Sequence, residues 1–124
     1  MKILVVDDEQ DIKQLFEQRF RKEIRSGEFD FVFTFSAPDA IAYLNSAPHE
    51  VVLILSDINM PNMDGLQLLA RIKEMPHLKD VPVIMITTEG GQGKVMEAVQ
   101  LGAAGYVRKP FTADQIKEKL IGIV

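Results

Sequence analysis

The chain contains no cysteine. That excludes disulfides, thiolate zinc sites and cysteine nucleophiles, and it suits a reducing cytoplasm. Histidine is scarce as well. His49 and His77 are the only two, each beside a proline, with no ligand spacing between them; both read as solvated or structural. Basic charge is not in excess: the formal net charge is −4, which does not indicate a nucleic-acid-binding surface. No apolar run approaches the roughly 20 residues that a membrane span needs. Met1-Lys2 leads straight into a strand pattern and leaves no room for a signal peptide. A single cytoplasmic domain over 1–124, without a membrane or nucleic-acid partner of its own, is the expectation for these 124 residues.

What is present is an alternation of strand and helix signals. Ile3–Val6 is a short β-rich run. A helix follows, with Ile12, Leu15, Phe16, Phe20 and Ile24 spaced for one face and Ser26-Gly27 as its stop. Phe29–Phe35 is a second strand, aromatic and β-branched. Ser36 is placed as the N-cap of a helix that turns Ala40, Ile41 and Leu44 inward and ends over Asn45–Pro48. Val51–Leu55 is unbroken apolar, as in a central strand covered on both faces. A loop over Asp57–Gly65 leads to a third helix marked by Leu66, Leu69 and Ile72. Val81–Ile86 is a fourth strand, with Pro82 at its beginning. Thr87–Gly93 reads as a polar, glycine-rich loop. Val95 and Val99, with Met96 as a further candidate, give a fourth helix closed by Leu101-Gly102. Ala104–Val107 is a fifth strand, and Thr112 caps a last helix carrying Ile116, Leu120 and the further candidate Ile121. Five βα units of this length imply a parallel sheet with right-handed crossovers and helices on both faces.

In such a sheet, sites form beyond the carboxyl ends of the strands. Asp7, Asp8, Asp57, Thr87 and Lys109 each follow a predicted strand. Adjacent aspartates repel and are costly to bury without a cation. With Asp57 they form a hard, oxygen-rich cluster suited to Mg²⁺ or Mn²⁺. Lys109 brings a positive charge able to pair with a carboxylate or a phosphoryl oxygen, and the Thr87 hydroxyl can donate to the same oxygen. Glu9 and Asp11 need no such role, because acidic residues favour helix N-termini.

The residues Val5-Val-Asp-Asp-Glu9, Leu55-Ser-Asp-Ile-Asn-Met-Pro61 with Asp64-Gly65, Ile86-Thr-Thr88 and Gly105-Tyr-Val-Arg-Lys-Pro-Phe111 resemble the receiver domains of two-component response regulators. Each motif alone is weak; the four in order, across essentially the whole chain, are specific. The resemblance is greatest to stand-alone chemotaxis-type regulators. It implies a flavodoxin-like, doubly wound (βα)5 fold with strand order 2-1-3-4-5. It also implies a signalling switch rather than an enzyme. Asp57 would accept a phosphoryl group from a sensor histidine kinase or phosphotransfer protein, or from a small donor such as acetyl phosphate. Asp8 would hold Mg²⁺ directly, Asp7 directly or through water, with Asp57 and the Asn59 backbone carbonyl completing the ligands. Lys109 and Thr87 would bind the phosphoryl oxygens, and Tyr106 would change rotamer with Thr87. The face of the fourth strand, fourth helix and fifth strand would then bind an output protein, as a monomer or a phosphorylation-dependent dimer. Asn59 and Glu89 would tune dephosphorylation, and Lys109-Pro110 would be cis. Thr88 departs from the family, which often has alanine there.

Other readings stand beside this one. Tyr106 also fits an ordinary half-buried strand tyrosine. The basic stretch of Arg19, Arg21, Lys22 and Arg25 fits either a solvated helix face or a docking surface for an acidic kinase partner. Gly90-Gly-Gln-Gly-Lys94 is not a phosphate loop, because Val95 stands where Ser or Thr must bind Mg²⁺. An aspartyl phosphatase of the haloacid dehalogenase type needs Asp-x-Asp after the first strand, where Asp7-Asp8-Glu9 stands instead. A flavodoxin-type cofactor binder needs a glycine- and hydroxyl-rich loop there, and an acidic pair would repel phosphate. A receiver excised from a longer regulator, with a DNA-binding or enzymatic output domain, is the remaining alternative.

Overall fold

The structure, a computed structural model, describes residues 1–46, 50–87 and 92–121, without the side chain of Gln92. Glu89, Thr88 and His49 lie outside these residues. The described elements are β1 (Lys2–Val6), α1 (Ile12–Arg19), α2 (Arg21–Ser26), β2 (Asp30–Thr34), α3 (Ala37–Ser46), β3 (Val51–Asp57), α4 (Gly65–Glu74), β4 (Val83–Thr87), α5 (Gln92–Gln100), β5 (Gly105–Arg108) and α6 (Ala113–Ile121). The strands form one sheet in the order β2-β1-β3-β4-β5, and every pairing is parallel. This is the expected α/β arrangement.

Side chains alternate across the strands and so divide the core in two. Leu4, Val6, Ile54, Val83 and Met85 pack with residues of α3 and α4 and with Ala98 of α5. Ile3, Val5, Leu53, Leu55, Ile84 and Ile86 pack on the other face with Ile12, Phe16, Phe20, Ile116 and Leu120. Three helix starts are closed by the local sequence. Ser36 Oγ accepts from Asp39 N–H at 3.2 Å. Asp64 and Gln67 cap α4 reciprocally, and Thr112 and Gln115 do the same before α6.

The structure departs from the sequence reading in several places. The first helix is deflected at Phe20 (φ −114°, ψ 26°). Its hydrogen-bond chain continues through the break, from Phe20 N–H to Phe16 O and from Ile24 N–H to Phe20 O, both 2.9 Å. The fully buried Phe20 ring stacks on Phe16 and packs on Phe29 and Phe31, which fixes the deflection. Beyond it, Glu23 rather than Ile24 turns inward. Glu23 is paired with Lys117 of α6, and that hydrogen bond holds its carboxyl below the ordinary carboxylate value. Val52 is exposed, not covered: β1 pairs Lys2 with Val51 and Ile3 with Leu53, so Val52 is the extra residue of a register shift. Of the segment read as a loop over Thr87–Gly93, Thr87 belongs to β4 and Gln92-Gly93 to α5, and the residues between them lie outside the described ones. In α5 the inward residue is Ala98, with Val95 partly buried; Met96 is 67% exposed and Val99 56%. Ile121 also faces outward.

Candidate functional site

Strand register assembles the site. Val6 lies opposite Ser56 on β3, and Asp57 lies opposite Ile86 on β4. Asp7, Asp57 and Thr87 therefore fall within one residue step of each other at the carboxyl edge of the three adjacent strands. Thr87 pairs with Arg108 on β5, and Lys109 comes next. Lys109 N–H donates to Thr87 O at 2.7 Å, which anchors the lysine backbone to β4. The Lys109–Pro110 peptide is cis, as the resemblance implied.

Asp7 is fully buried and Asp57 is 5% exposed, while Asp8 faces solvent. One carboxylate oxygen from each of the three lies within 4.8 Å of the others. Asp7 Oδ1 accepts from Glu9 N–H at 3.0 Å, and its Oδ2 accepts from Lys109 Nζ at 2.7 Å. The same ammonium is 3.8 Å from Asp57 Oδ2. It thus bridges the two buried carboxylates, with its tighter contact to Asp7.

Burial pushes the Asp57 carboxyl up from 3.8 to about 6; the Asp7 and Asp8 charges add to this, and Lys109 and the Asn59 backbone N–H oppose it. Three carboxyl groups converge on one point, and the Lys109 ammonium lies against two of them. All the donors are hard oxygens. That set fits a divalent magnesium-type cation, which would relieve the crowding that raises Asp57.

The raised carboxyl has a consequence for stability. Its folded value exceeds its unfolded value, so ionised Asp57 opposes folding fully above pH 6, and this cost fades as pH falls towards 3.8. Asp57→Asn is expected to stabilise the metal-free protein by about 1–2 kcal/mol at pH 7, allowing for screening by solvent at the open mouth of the site. Urea unfolding at pH 7 and pH 4 reads this out. An equal gain at both pH values would contradict a desolvated carboxylate.

The remaining predicted residues sit nearby in different settings. Thr87 is buried at the end of β4. Tyr106 lies opposite Met85, so by strand alternation it shares a sheet face with Thr87. It is 47% exposed, with Lys119 Nζ 5.7 Å from its ring centre. Asn59 follows β3, and its Oδ1 accepts from Lys94 Nζ at 3.0 Å. In the basic stretch of α1 and α2, Arg19 lies over the Phe111 ring, 5.9 Å from its centre. The cations of the stretch are exposed, and α2 packs towards Phe29 and Lys117, at the opposite end of the strands.

Two positioning features escaped the sequence reading. Gly65 N–H donates to Ile58 O at 2.8 Å and closes the loop after β3. Lys94 reaches Asn59 from the first turn of α5. The Asp64-x-x-Gln67 spacing was the available signal for the capping box that starts α4; nothing local signalled Lys94.

The model of the response regulator receiver domain matches residues 3–121. The chain belongs to the response regulator receiver domain family. Chemotaxis protein CheY1 of Helicobacter pylori is 38% identical over 120 residues, covering 97% of this receiver and 94% of that protein. The chemotaxis protein CheY4 of Vibrio cholerae superposes with a TM-score of 0.84 at 27% identity, over 99% of this receiver and 98% of that chain. NtrX of Brucella abortus superposes with a TM-score of 0.83 at 31% identity, over 98% of this receiver but 26% of that chain. Receiver domains of this type are signalling proteins rather than classical enzymes, and they generally bind Mg²⁺ at an acidic pocket such as the one formed by Asp7, Asp8 and Asp57.

Proposed function

We propose that this receiver is a phosphorylation-controlled binding switch with Asp57 as the phosphoacceptor. The observation that carries the reading is the setting of Asp57: nearly buried, beside two further carboxylates, with Lys109 Nζ 3.8 Å from Oδ2. In the transfer, an Asp57 carboxylate oxygen bonds to phosphorus as the P–N bond of a kinase or phosphotransfer phosphohistidine breaks. The electron pair of that bond returns to the imidazole. Asp7, Asp8, Asp57 and the Asn59 carbonyl are the residues to hold Mg²⁺ or Mn²⁺. Bound there, the cation supplies charge that offsets the phosphoryl oxygens.

The new group carries about −1.5 to −2 charges and three acceptor oxygens. Lys109 then exchanges part of its contact with Asp7 for a phosphoryl oxygen, and the Thr87 hydroxyl turns to donate to the same group. Tyr106, on the same sheet face, moves into the space that Thr87 leaves. The face of β4, α5 and β5 changes shape as a result. Met96, Val99, Leu101 and Tyr106 give it exposed apolar surface, which fits a partner protein. Asn59 and Glu89, two residues beyond Asp57 and Thr87 in the sequence, tune removal of the phosphoryl group by water. The reading places the chain in the cytoplasm, with a histidine kinase. A receiver within a longer regulator works through the same chemistry, and the partial coverage of NtrX favours keeping that second reading.

Acetyl phosphate with Mg²⁺ is expected to add one phosphoryl group, stable in acid and labile in base. Intact-mass measurement checks it. Equal modification of Asp57→Asn would remove Asp57 from the role.

A further inference from the structure

We propose that Lys94 is a positioning residue that holds the Asn59 carboxamide towards α5 and slows hydrolysis of the acyl phosphate. The inference rests on the phosphoacceptor role of Asp57 and concerns a residue outside the four family motifs. Lys94 stands in the first turn of α5, and its Nζ donates to Asn59 Oδ1 at 3.0 Å. The bond joins residues 35 positions apart, one in the loop leaving the acceptor strand and one on the helix of the output face. Among the described residues, no carboxylate lies within ion-pair distance of Lys94. Its hydrogen bond to Asn59 is therefore its specific contact there.

Lys94 acts through Asn59 rather than on Asp57 directly. The charges that move Asp57 most are those of Lys109, Asp7 and Asp8. Asn59, in contrast, stands two residues after Asp57 in the loop that leaves β3, and its side chain is the group that Lys94 holds. A carboxamide oxygen is an acceptor able to hold a water proton. Held by an ammonium, it is engaged, and the side chain stays turned towards α5.

Hydrolysis needs a water placed in line with the Asp57 oxygen. The water oxygen bonds to phosphorus, and the P–O bond to Asp57 breaks. Its electron pair returns to the carboxylate, and inorganic phosphate leaves with the water oxygen and both of its protons, one of which exchanges with solvent. A released Asn59 can accept from that water and orient it. An Asn59 tied to Lys94 cannot do so through the same lone pair and remains at the edge of the approach.

The test loads the protein with acetyl phosphate and Mg²⁺, removes the donor and follows phosphoryl loss by intact mass. Lys94→Met is expected to shorten the lifetime about 3–10-fold, while Lys94→Arg, which keeps a donor, stays close to the parent. In an Asn59→Ala background Lys94→Met should change nothing further. A second readout needs no phosphoryl group or metal: the Asn59 side-chain amide signals of the metal-free protein should shift in Lys94→Met and not in Lys94→Arg. An unchanged lifetime in Lys94→Met would overturn the proposal, as would the same acceleration in the Asn59→Ala background. A parent protein that takes no phosphoryl group on Asp57 would instead defeat the receiver reading, and the amide signals would still decide whether Lys94 holds Asn59.

Discussion

Gly65→Ala is expected to destabilise the protein by about 3 kcal/mol or more and to abolish phosphorylation of Asp57. A Cβ at Gly65 would stand 2.2 Å from Asp57 O, 2.8 Å from Ile58 Cα and 2.9 Å from Met85 Cε. The Met85 side chain can move aside; the backbone of Asp57 and Ile58 cannot, because it belongs to the central strand and its exit. The added methyl must therefore push α4 away from β3. That would break the Gly65 N–H to Ile58 O bond and strain the capping box at Asp64. Both effects displace the loop that carries Asn59. Urea unfolding with phosphoryl incorporation measured on the same samples checks this. A variant of parental stability that is fully phosphorylated would show that the loop yields without affecting the acceptor.

The second large effect concerns Lys109. Lys109→Met keeps the aliphatic stem and removes the ammonium. Asp7, with no exposed side-chain surface, then loses its 2.7 Å partner and keeps, among the described residues, the Glu9 N–H. Leaving a buried charge without its counter-charge costs about 3 kcal/mol, so that loss of stability is expected for the metal-free protein at pH 7. Added Mg²⁺ should recover much of it and should bind more tightly than to the parent, because the competing cation is gone. Unfolding with and without Mg²⁺ tests both statements; a loss under about 1 kcal/mol without the ion would mean that solvent reaches Asp7.

The sign of the pH dependence follows from Lys109 itself. Burial lowers its value, but the Asp7 hydrogen bond and the Asp57, Asp7 and Glu9 charges together raise it above the ordinary 10.5. The contribution of the Lys109 charge is then fully present below pH 10.5 and is lost as pH rises through the raised value.

Legibility in the sequence followed the range of the interaction. Apolar runs such as Val5-Val6 and Ile54-Leu55 marked strands, and the acidic and basic residues after them marked the site edge. Ser36 and Thr112 announced helix starts because a cap is a contact over three residues. The inward faces of the helices were less legible. Periodicity placed Ile24 and Val99 inward, yet a deflection at Phe20 turned Glu23 in instead, and the packing of α5 chose Ala98. Both choices depend on what each helix meets, which a single helical period does not contain.

The sequence by itself determined the five βα units, the parallel α/β class and the residues placed at the strand ends, because strand period, turn chemistry and crossover handedness are local or near-local rules. Tertiary structure alone decided how those ends combine. It made Lys109 the partner of Asp7 across 102 positions, brought Gly65 against the Asp57 carbonyl and set Lys94 on Asn59. The physical reason is that strand register and helix packing fix such distances, and neither is written in the spacing of the residues they bring together.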